Sequence, residues 1–579
     1  MEYLKKTFEL IDSKDKNKIF LFFILLICST LFELLSVGII YPFIKILLNP
    51  DELSELGIIG EYFIKLSDTL SMNILILGII SLLTTFLIKN IFLTFFTWWQ
   101  LNFSNEIQYN LSKKLFNVYL KKSVLFHLNV NSSTVIRNMM NEVSNFQKIF
   151  YTFLNLFFEI VVITSLLLML IIFEPIATLV SFTFLFIIST VIFSFTKKKF
   201  TNWGEIRLKL SARYLKNITE ALRNIKELNI LNKSNFFLKI HNEQKKILTQ
   251  IVTKFGFLTT IPKYFFEIIA VTGLCIIIYI LSKQGKASIE ILPILGVYGA
   301  TAYRAMPSFS KILTSFQTVK YHLPTINVLN LIIKDKDTDA VDINKRIEQE
   351  DFNKLDFKDK IVIKNLSYSY PESSNKVLKK VSFQINKGEK IGIIGKSGSG
   401  KSTLVNILMG LIQCEDDQIL IDGKDLNQNI KPWQKNLGYV PQSLYLLDSS
   451  IKNNIAFATE TNHIDLNKID YAIKRAKLEN FVNSLEKGIN TNIGEIGSKI
   501  SGGQIQRVAI ARAFYTDPSI IIFDEATSGL DTSTEAEIIE DINKYQKDKT
   551  IIMISHRPST LKYCDKVFEL VNGEIIEKA

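Results

Sequence analysis

The sequence is poor in cysteine, and its cysteines are not arranged in pairs. Only four occur in 579 residues, and Cys28, Cys275, Cys414 and Cys564 are far apart with no CxxC spacing. A disulfide framework requires closely spaced cysteines in a short secreted chain, and a zinc site requires clustered ligands. Neither kind of site is indicated, and the thiols are expected to be reduced.

Charged residues are also scarce, at 21% of the chain, whereas 47% are hydrophobic and 42 are phenylalanine. This composition is too apolar for an ordinary soluble protein, and it excludes a disordered or collagen-like chain. The net charge is +12. No nucleic-acid partner is expected, because abundant lysine accompanies abundant isoleucine, asparagine and phenylalanine, as a biased composition alone produces.

Long apolar runs are concentrated in the first 320 positions. Six are long enough to cross the roughly 30 Å hydrocarbon core of a bilayer as helices, and the first is too long for a cleavable signal. The predicted spans are 19–44, 72–98, 149–173, 175–196, 255–281 and 289–310. Lysines precede the first span, acidic residues follow it, and the stretches 102–148 and 197–250 are basic. Both termini are therefore expected in the cytoplasm.

The chain changes character after the last span. Residues 334–360 are charged and weakly periodic, which indicates a linker between a membrane domain, 1–333, and a soluble domain, 361–579. Short β-rich runs alternate with helical stretches in the soluble part, which is typical of an α/β domain.

Residues 52–70 place apolar side chains at helical spacing. They are interpreted either as a helix lying on the outer leaflet or as an ordinary loop helix.

One glycine-rich turn in the soluble part carries a phosphate-binding pattern. The run KIGIIGKSGSGKST indicates a strand, a turn and a helix, and it matches G-x-x-x-x-G-K-[ST]. Such a loop and the positive end of its helix bind phosphate oxygens. Lys401 is expected to contact the β and γ phosphates, and Ser402 to bind Mg²⁺. The predicted cofactor-binding residues here are Gly395, Lys396, Ser397, Gly398, Ser399, Gly400, Lys401, Ser402 and Thr403.

Two later strands end in polar side chains, at the position where open α/β sheets bind ligands. The apolar strand 520–523 is followed by Asp524, which is suited to Mg²⁺, and by Glu525. Glu525 is the natural general base for a water that attacks the γ phosphate. A second strand ends in His556, which is expected to hydrogen-bond that phosphate or that water.

A second glycine-rich helix start lies between these elements. Ser501, Gly502, Gly503 and Gln504 open a helix whose N-terminus is again suited to an anion. One nucleotide requires only one phosphate loop. The second glycine-rich helix N-terminus is therefore expected to contact the nucleotide of another subunit.

These motifs and their order resemble those of ABC exporter half-transporters along essentially the whole chain. The matching segments are the phosphate loop, ISGGQ at 500–504, IIIFDEATSGLD at 520–531, YVPQS around Gln442 and ISHR at 554–557. The resemblance implies a membrane α-helical domain of exporter type fused to an α/β P-loop ATP-binding cassette that uses ATP and Mg²⁺. It also implies that Gln442 and Asp531 belong to the nucleotide site, with Gln442 contacting the metal. Tyr370 is the implied adenine-stacking aromatic, and Tyr368 is its competitor.

The same resemblance implies a homodimer in which each phosphate loop faces the partner's ISGGQ segment. Ile500 and Gly529 depart from the family's usual leucine and alanine. Neither change removes a functional group, so both ATP sites are expected to hydrolyse ATP. The resemblance further implies cytoplasmic coupling helices near 133–138 and 231–237, and a bacterial inner (plasma) membrane location.

Cations within the spans bear on the cargo, because intramembrane charges are costly and usually functional. Counted at 1.5 Å per residue from the outer ends, Lys89, Lys263 and Arg304 lie about 22–27 Å deep. They are interpreted as a site for a phosphate or pyrophosphate head group, with Glu33 and Glu159 as counter-ions. The alternative is that these side chains extend towards the cytoplasmic boundary.

The stretches around these cations resemble bacterial flippases of lipid-linked oligosaccharides, notably TAYRAMPSFSKILTSF at 301–316 and TIPKYFFE at 260–267. That branch carries arginine where this chain has Lys89 and Lys263, and lysine lacks the bidentate fork of arginine. The implied activity is ATP-driven movement of a polyprenyl-diphosphate-linked oligosaccharide from the inner to the outer leaflet. The alternatives are an exporter of lipid A, phospholipid, drug or peptide, and, from another class, an ATP-gated channel or a regulatory membrane ATPase.

Overall fold

The computed structural model describes residues 2–48, 72–173, 175–283, 288–334, 353–371, 375–442, 444–494, 497–525, 548–555 and 561–578, with positions 65, 69, 373, 537 and 540. Most of the predicted amphipathic segment 52–70 therefore lies outside the described residues. The chain divides into two compact units. The membrane unit comprises Met1–Lys122 with Phe126–Asp339, and the cassette unit comprises Ser123–Leu125 with Ala340–Ala579.

Long helices dominate the chain up to Lys334. In chain order the helices are α1 (Glu2–Glu9), α2 (Ser13–Gly38), α3 (Ile40–Leu48), α4 (Ile74–Lys121), α5 (Val124–Asn129), α6 (Ser132–Arg137), α7 (Val143–Phe173), α8 (Pro175–Arg223), α9 (Ile225–Ile230), α10 (Ser234–Lys283) and α11 (Ser288–Lys334). A π-helical turn, Asn138–Glu142, joins α6 to α7. Helix α4 has 48 residues, which at 1.5 Å each extend about 72 Å, more than twice the thickness of a bilayer core.

Four helical stretches in the described part of the chain are long and apolar enough to cross a membrane, namely Ser13–Leu48, Ile74–Lys121, Ser132–Ile172 and Ser234–Tyr279. They overlap four of the six predicted spans, 19–44, 72–98, 149–173 and 255–281, almost completely. The other two, 175–196 and 289–310, lie in α8 and α11, where some side chains are outside the described residues. These two spans stay predictions. The predicted spans 149–173 and 175–196 fall in two successive helices, α7, which ends at Phe173, and α8, which begins at Pro175.

Helix α11 packs against α7, α8 and α10. The approach to α8 is closest at Gly204, where a Cβ would lie 2.0 Å from the carbonyl oxygen of Tyr321. A glycine is required there because any side chain would separate the two helices. At the start of α6, Asn131 is the cap, since its side chain accepts a hydrogen bond of 2.9 Å from the N–H of Ser133. Asparagine has the same capping chemistry as serine.

The cassette unit contains short strands and helices in alternation. The strands are β1 (Lys360–Tyr368), β2 (Leu378–Asn386), β3 (Lys390–Ile394), β4 (Ile419–Ile421), β5 (Lys424–Asp425), β6 (Leu437–Val440), β7 (Ile520–Asp524), β8 (Thr550–Ile554), β9 (Lys566–Val571) and β10 (Glu574–Lys578). The helices are α12 (Lys401–Leu408), α13 (Ile430–Gln434), α14 (Ile451–Ile455), α15 (Leu466–Arg475), α16 (Glu479–Ser484) and α17 (Gly502–Tyr515).

The strands form an antiparallel sheet of order β2-β1-β4-β5 and a second sheet of order β10-β9-β3-β8-β7-β6. In the second sheet β9, β3, β8, β7 and β6 pair in parallel, so their carboxyl ends meet at one edge. The buried face of α12 packs between the sheets with Leu355 and Phe357 in the same core. Both residues lie in the predicted linker. Their side chains are buried because they are apolar within an otherwise charged stretch, and Phe357 packs edge-on against Trp433.

Candidate functional site

The phosphate loop connects the end of β3 with the start of α12. Gly395 has φ +150° and Gly400, the N-cap of α12, has φ +108°. A Cβ on Gly395 would lie 2.5 Å from the carbonyl oxygen of Leu570, and one on Gly400 would lie 3.1 Å from that of Val377. Glycine is required at both positions because the backbone conformation and the available space disfavour a side chain. The exposed residues of this loop are Lys396, Ser397 and Gly398.

The ammonium group of Lys401 lies against the loop itself. Its Nζ donates to the carbonyl oxygens of Gly395 at 2.6 Å and Lys396 at 3.0 Å. Burial lowers the pKa of Lys401, while the nearby carboxylates of Glu525 and Asp524 act in the opposite direction. The charge of Lys401 is therefore positioned between the loop and the two carboxylates.

Ser399 shows that the loop has unused hydrogen-bonding capacity. Within the described residues its buried Oγ has no hydrogen-bond partner, a state that costs about 1–3 kcal/mol. A phosphate oxygen would remove that cost, and the exposed hydroxyl of Ser402 lies at the start of the same helix. The loop therefore fits the phosphates of a nucleotide. The oxygen donors of Ser402 and Asp524 are of the type that Mg²⁺ prefers.

Two carboxylates lie at the carboxyl end of β7, at the edge of the sheet where the phosphate loop begins: Asp524 is its last residue and Glu525 follows directly. Oδ2 of Asp524 accepts a hydrogen bond of 3.2 Å from the hydroxyl of Tyr439, and Oε2 of Glu525 accepts one of 2.6 Å from Nε2 of Gln442. Glu525 has φ +48°, and its N–H donates to the carbonyl oxygen of Ile554 at 3.0 Å. The structure thus brings Asp524, Glu525 and Gln442 together.

Burial disfavours the charged forms of both Asp524 and Tyr439 at this edge. It raises the pKa of Asp524, and the charge of Glu525 adds to the rise, although the hydrogen bond from Tyr439 and the charge of Lys401 oppose it. Burial also raises the pKa of Tyr439, which therefore keeps its proton and donates it to Asp524. Sequence reasoning missed Tyr439. Its position in β6, directly beside β7, is the signal that identifies it.

The two candidate adenine-stacking tyrosines lie next to each other. The rings of Tyr368 and Tyr370 have centroids 5.3 Å apart at 84°. The hydroxyl of Tyr370 contacts the helix of the phosphate loop, through a hydrogen bond of 3.1 Å with Oγ1 of Thr403. This contact places Tyr370 beside the phosphate loop.

The second glycine-rich start forms a well-capped helix, α17. The side chain of Ser501 accepts a hydrogen bond from the N–H of Gln504, and the side chain of Gln504 accepts one from the N–H of Ser501. This capping box fixes the first turn. Ser501 and Gly502 are exposed, and a Cβ on Gly502 would contact nothing within 4 Å. Two further predicted site residues, Asp531 and His556, lie outside the described residues.

A cluster of charges around two buried carboxylates, Glu33 and Glu159, lies among the helices of the membrane unit at Arg304. Its Nε donates to Oε1 of Glu33 at 2.7 Å, and its Nη1 donates to Oε2 of Glu159 at 3.2 Å. Nη1 also donates to Oγ of Ser308 at 2.6 Å, and that hydroxyl donates to Glu159 at 2.6 Å. One guanidinium therefore joins carboxylates from α2 and α7 to α11.

Two lysines complete this Arg304 cluster. Nζ of Lys89 lies 3.5 Å from Oε2 of Glu33 and 4.5 Å from the centre of the Phe86 ring. Nζ of Lys311 donates to Oε1 of Glu159 at 2.8 Å. The members of the Arg304 cluster are Glu33, Lys89, Glu159, Arg304, Ser308 and Lys311. Lys89, Arg304 and Lys311 carry three positive charges against two carboxylates, which leaves one in excess, and 60% of the Lys311 side chain is exposed.

The structure separates the three cations that the sequence grouped by depth. It brings Lys89 and Arg304 to the same carboxylate, whereas Lys263 is exposed on α10 and forms no ion pair with Glu267, which is also exposed. Sequence reasoning missed Ser308 and Lys311. Their spacing of four and seven residues from Arg304 is the signal, because it places all three on one face of a helix.

Two family profiles match the chain. The profile described as ABC transporter transmembrane region matches residues 19–305, and the profile described as ABC transporter matches residues 378–528. A solved bacterial Atm1-family ABC exporter with ATP bound has a TM-score of 0.75 to this structure, at 22% sequence identity, over 97% of this chain and 95% of that chain. At this identity the likeness establishes the exporter fold alone.

Curated relatives match over a shorter stretch. The ATP-dependent lipid A-core flippase of Vibrio parahaemolyticus serotype O3:K6 is 40% identical over 219 residues, which are 38% of this chain and 38% of that protein. The leukotoxin translocation ATP-binding protein LktB of Mannheimia glucosida is 42% identical over 219 residues, or 38% of this chain and 31% of that protein. The chain therefore matches well under half the length of these relatives.

The two matched profiles describe the two halves of one architecture, and the observed fold contains both. The phosphate loop, the paired carboxylates after β7 and the capped ISGGQ helix all belong to the cassette unit. The helices that are long and apolar enough to cross a membrane all belong to the membrane unit. The chain therefore belongs to the ABC transporter family, as a transmembrane region fused to an ATP-binding cassette.

Proposed function

We propose that the protein is an ATP-driven flippase for an anionic, amphipathic lipid, and that this lipid is a polyprenyl-diphosphate-linked oligosaccharide moved from the inner to the outer leaflet. The Arg304 cluster carries the proposal. Charges within apolar helices are costly unless they are paired or functional. Here one positive charge exceeds the carboxylates, so an anionic head group is the ligand that balances the site.

The donors in the cluster suit a phosphate. The described hydrogen bonds of the Arg304 side chain use Nε and Nη1, which leaves Nη2 for a phosphate oxygen. Lys89 is 3.5 Å from the nearest carboxylate oxygen, which is beyond good hydrogen-bonding distance, so its ammonium protons also remain available. A guanidinium and an ammonium beside each other are the usual groups that bind phosphate.

ATP hydrolysis is proposed to drive the movement. Mg²⁺, when bound, supplies a hard Lewis acid for phosphate oxygens, and Ser402, Asp524 and Gln442 are its proposed ligands. Glu525 accepts the proton of the attacking water, and the amide of Gln442 orients the carboxylate of Glu525. Lys401 binds the β and γ phosphates. His556 is proposed to orient the same water, and Asp531 to belong to the nucleotide site.

The second subunit is proposed to be another copy of this chain, inserted in a bacterial inner membrane with both termini in the cytoplasm. In each subunit, the helix N-terminus at Ser501–Gln504 would then contact the nucleotide bound by the partner's phosphate loop. The motifs required for hydrolysis are present in this one chain, so a homodimer has two competent sites. No nucleic acid takes part.

Transport in proteoliposomes tests this function. The full chain is reconstituted with a polyprenyl-diphosphate-linked oligosaccharide, and its transfer between leaflets is followed with and without ATP. We expect transfer by the wild type, none by Glu525→Gln, and at least a tenfold loss in the double variant Lys89→Gln/Arg304→Gln. The matched control is Lys254→Gln, which removes an exposed cation of α10. Transfer that persists in the double variant would contradict the head-group site.

A lipid A or phospholipid exporter is the second candidate, and the similarity to a lipid A-core flippase favours it. The same vesicles with lipid A in place of the oligosaccharide lipid separate the two cargoes. ATP hydrolysis without movement of either lipid would direct the search to peptides and drugs. An ATP-gated channel would instead dissipate an ion gradient across the vesicle membrane, and a regulatory ATPase would move none of these cargoes.

A further inference from the structure

The end of β6 supplies one hydrogen-bond donor to each of the two carboxylates at the carboxyl end of β7. The hydroxyl of Tyr439 donates to Oδ2 of Asp524 at 3.2 Å, and Nε2 of Gln442 donates to Oε2 of Glu525 at 2.6 Å. The two strands pair in parallel, with Tyr439 opposite Ile522. Gln442 orients Glu525 in the proposed hydrolysis, and Tyr439 occupies the corresponding position at Asp524.

Packing does not account for a tyrosine at position 439. The residue is 37% exposed, and its ring belongs to neither of the two hydrophobic cores in the described part of the cassette unit. Its neighbours in β6, Leu437 and Val440, do pack into those cores. Within the described residues, the one hydrogen bond of the Tyr439 side chain is the one to Asp524. This hydrogen bond is what a phenylalanine at the same position would lack.

The contact fixes one oxygen of Asp524 and leaves the other for a further partner. Among the residues that the structure describes, the Asp524 carboxylate accepts no hydrogen bond other than the one from Tyr439. The torsion that orients an aspartate carboxylate is broad, so a carboxylate without a hydrogen bond samples many orientations. Because Tyr439 holds Oδ2, the carboxylate keeps one orientation and Oδ1 is left for a metal ion.

We propose that Tyr439 is a positioning residue for Asp524, and that its hydroxyl makes the metal site of the cassette prefer Mg²⁺ to Ca²⁺. Hydrogen bonds to metal-binding carboxylates orient these ligands, and their loss usually costs about 10–100-fold in metal affinity. Mg²⁺ requires nearly ideal octahedral geometry, whereas Ca²⁺ accepts a flexible arrangement of oxygen ligands. Loss of the orienting contact therefore weakens the binding of Mg²⁺ more than that of Ca²⁺. The inference rests on the proposed role of Asp524 as a metal ligand and is independent of the cargo.

Three variants test this role. Tyr439→Phe removes the hydroxyl and keeps the ring. Tyr515→Phe is the matched control, because the hydroxyl of Tyr515, at the end of α17, also takes part in one hydrogen bond of 3.2 Å, which it accepts from the N–H of Asp465. Asp524→Asn removes the charge of the proposed metal ligand itself.

The measurement is metal binding without hydrolysis. The full chain in detergent binds a non-hydrolysable ATP analogue and Mn²⁺, which is followed by electron paramagnetic resonance while Mg²⁺ or Ca²⁺ is added as the competitor. In Tyr439→Phe the affinity for Mg²⁺ should fall about tenfold and that for Ca²⁺ by less than about threefold. The ratio of the two affinities should therefore move towards Ca²⁺. Affinity for the analogue in EDTA should be unchanged, and Tyr515→Phe should match the wild type in every titration.

The outcomes separate this inference from the proposed function. If Asp524→Asn loses Mn²⁺ while Tyr439→Phe keeps the wild-type ratio of Mg²⁺ to Ca²⁺ affinity, the inference is overturned and Asp524 remains a ligand. Weaker binding of the analogue by Tyr439→Phe in EDTA, or an equal shift in Tyr515→Phe, would also overturn it. If Asp524→Asn binds Mn²⁺ as the wild type does, the proposed metal site itself is wrong. Absence of lipid movement in the vesicles would overturn the flippase and leave this inference in place.

Discussion

Nε of Arg304 lies 2.7 Å from Oε1 of Glu33, although 271 positions separate the two residues in the chain. The same guanidinium also contacts Glu159 at 3.2 Å. A head group that binds at Arg304 must therefore share its donors with two carboxylates. The contacts join α2, α7 and α11, so anion binding and helix packing are coupled at this residue.

Arg304→Gln is expected to destabilise the protein by about 3 kcal/mol or more, because it leaves two buried carboxylates without their main cation. The loss of stability in the double variant Glu33→Gln/Arg304→Gln should be smaller than the sum of the losses in the two single variants. Thermal unfolding in detergent measures the three losses. Strictly additive losses would show that the 2.7 Å contact carries no coupling energy.

Tyr370→Ala is expected to weaken ATP binding by about 1–3 kcal/mol, the usual contribution of one aromatic stacked on a base. Tyr370 is preferred because its hydroxyl contacts Thr403 in the helix of the phosphate loop. Tyr368→Ala is the comparison, and it should change affinity much less. Titration with a fluorescent ATP analogue gives both values. The opposite order would assign stacking to Tyr368.

Gly204→Ala should destabilise the membrane unit by about 1–3 kcal/mol or reduce its folding yield. The new Cβ would lie 2.0 Å from the carbonyl oxygen of Tyr321, and that atom belongs to a helical backbone that has little freedom to move. Gly256→Ala is the matched control, because its Cβ contacts nothing within 4 Å and alanine favours the helix. Equal melting temperatures for the two variants would contradict this packing.

Asp422 is expected to make the stability of the cassette unit depend on pH. Burial raises the pKa of its carboxyl, but the N–H groups of Lys358, Lys360 and Asp359 outweigh burial and hold the pKa below its usual value. The N–H groups donate to the Asp422 carboxylate at 2.6 Å from Lys358, 2.7 Å from Lys360 and 3.0 Å from Asp359. A carboxyl whose pKa is lower in the folded state than in the unfolded state stabilises the fold at pH values above its unfolded pKa, which is about 3.9 for Asp. This stabilisation is lost as the pH falls through the pKa of the folded state.

Asp422→Asn should therefore lower the free energy of unfolding at pH 7. The difference in this free energy between the variant and the wild type should become smaller as the pH falls below about 4. Asparagine tolerates the φ of +47° at this position, so the change tests the charge. Asp470→Asn, which affects an exposed ion pair with Lys474, is the control and should have little effect at any pH. Urea unfolding across this pH range is the measurement. A constant difference at all pH values would rule out the charge effect.

Much of the cassette site was predictable because its motifs are local. Gly395 and Gly400 encode a backbone turn, and the apolar run of β7 places Asp524 and Glu525 at a sheet edge whatever surrounds it. The β-rich runs predicted at 391–394, 419–421, 520–523 and 551–554 coincide with β3, β4, β7 and β8 to within one residue. The run predicted at 361–363 covers only part of β1. Tyr439 was missed because its contact with Asp524 depends on which strands are neighbours.

Sequence patterns alone were enough to predict the apolar spans, the α/β class of the cassette, the phosphate loop and the cations within the spans, because each depends on residues close together in the chain. The pairing of Lys89 and Arg304 with Glu33, the exposure of Lys263 and the contact of Lys311 with Glu159 are visible only in the folded protein. Depth along a helix is fixed by residue number at 1.5 Å per residue. The direction in which a side chain points, and therefore its partner, is fixed by how each helix is rotated against its neighbours.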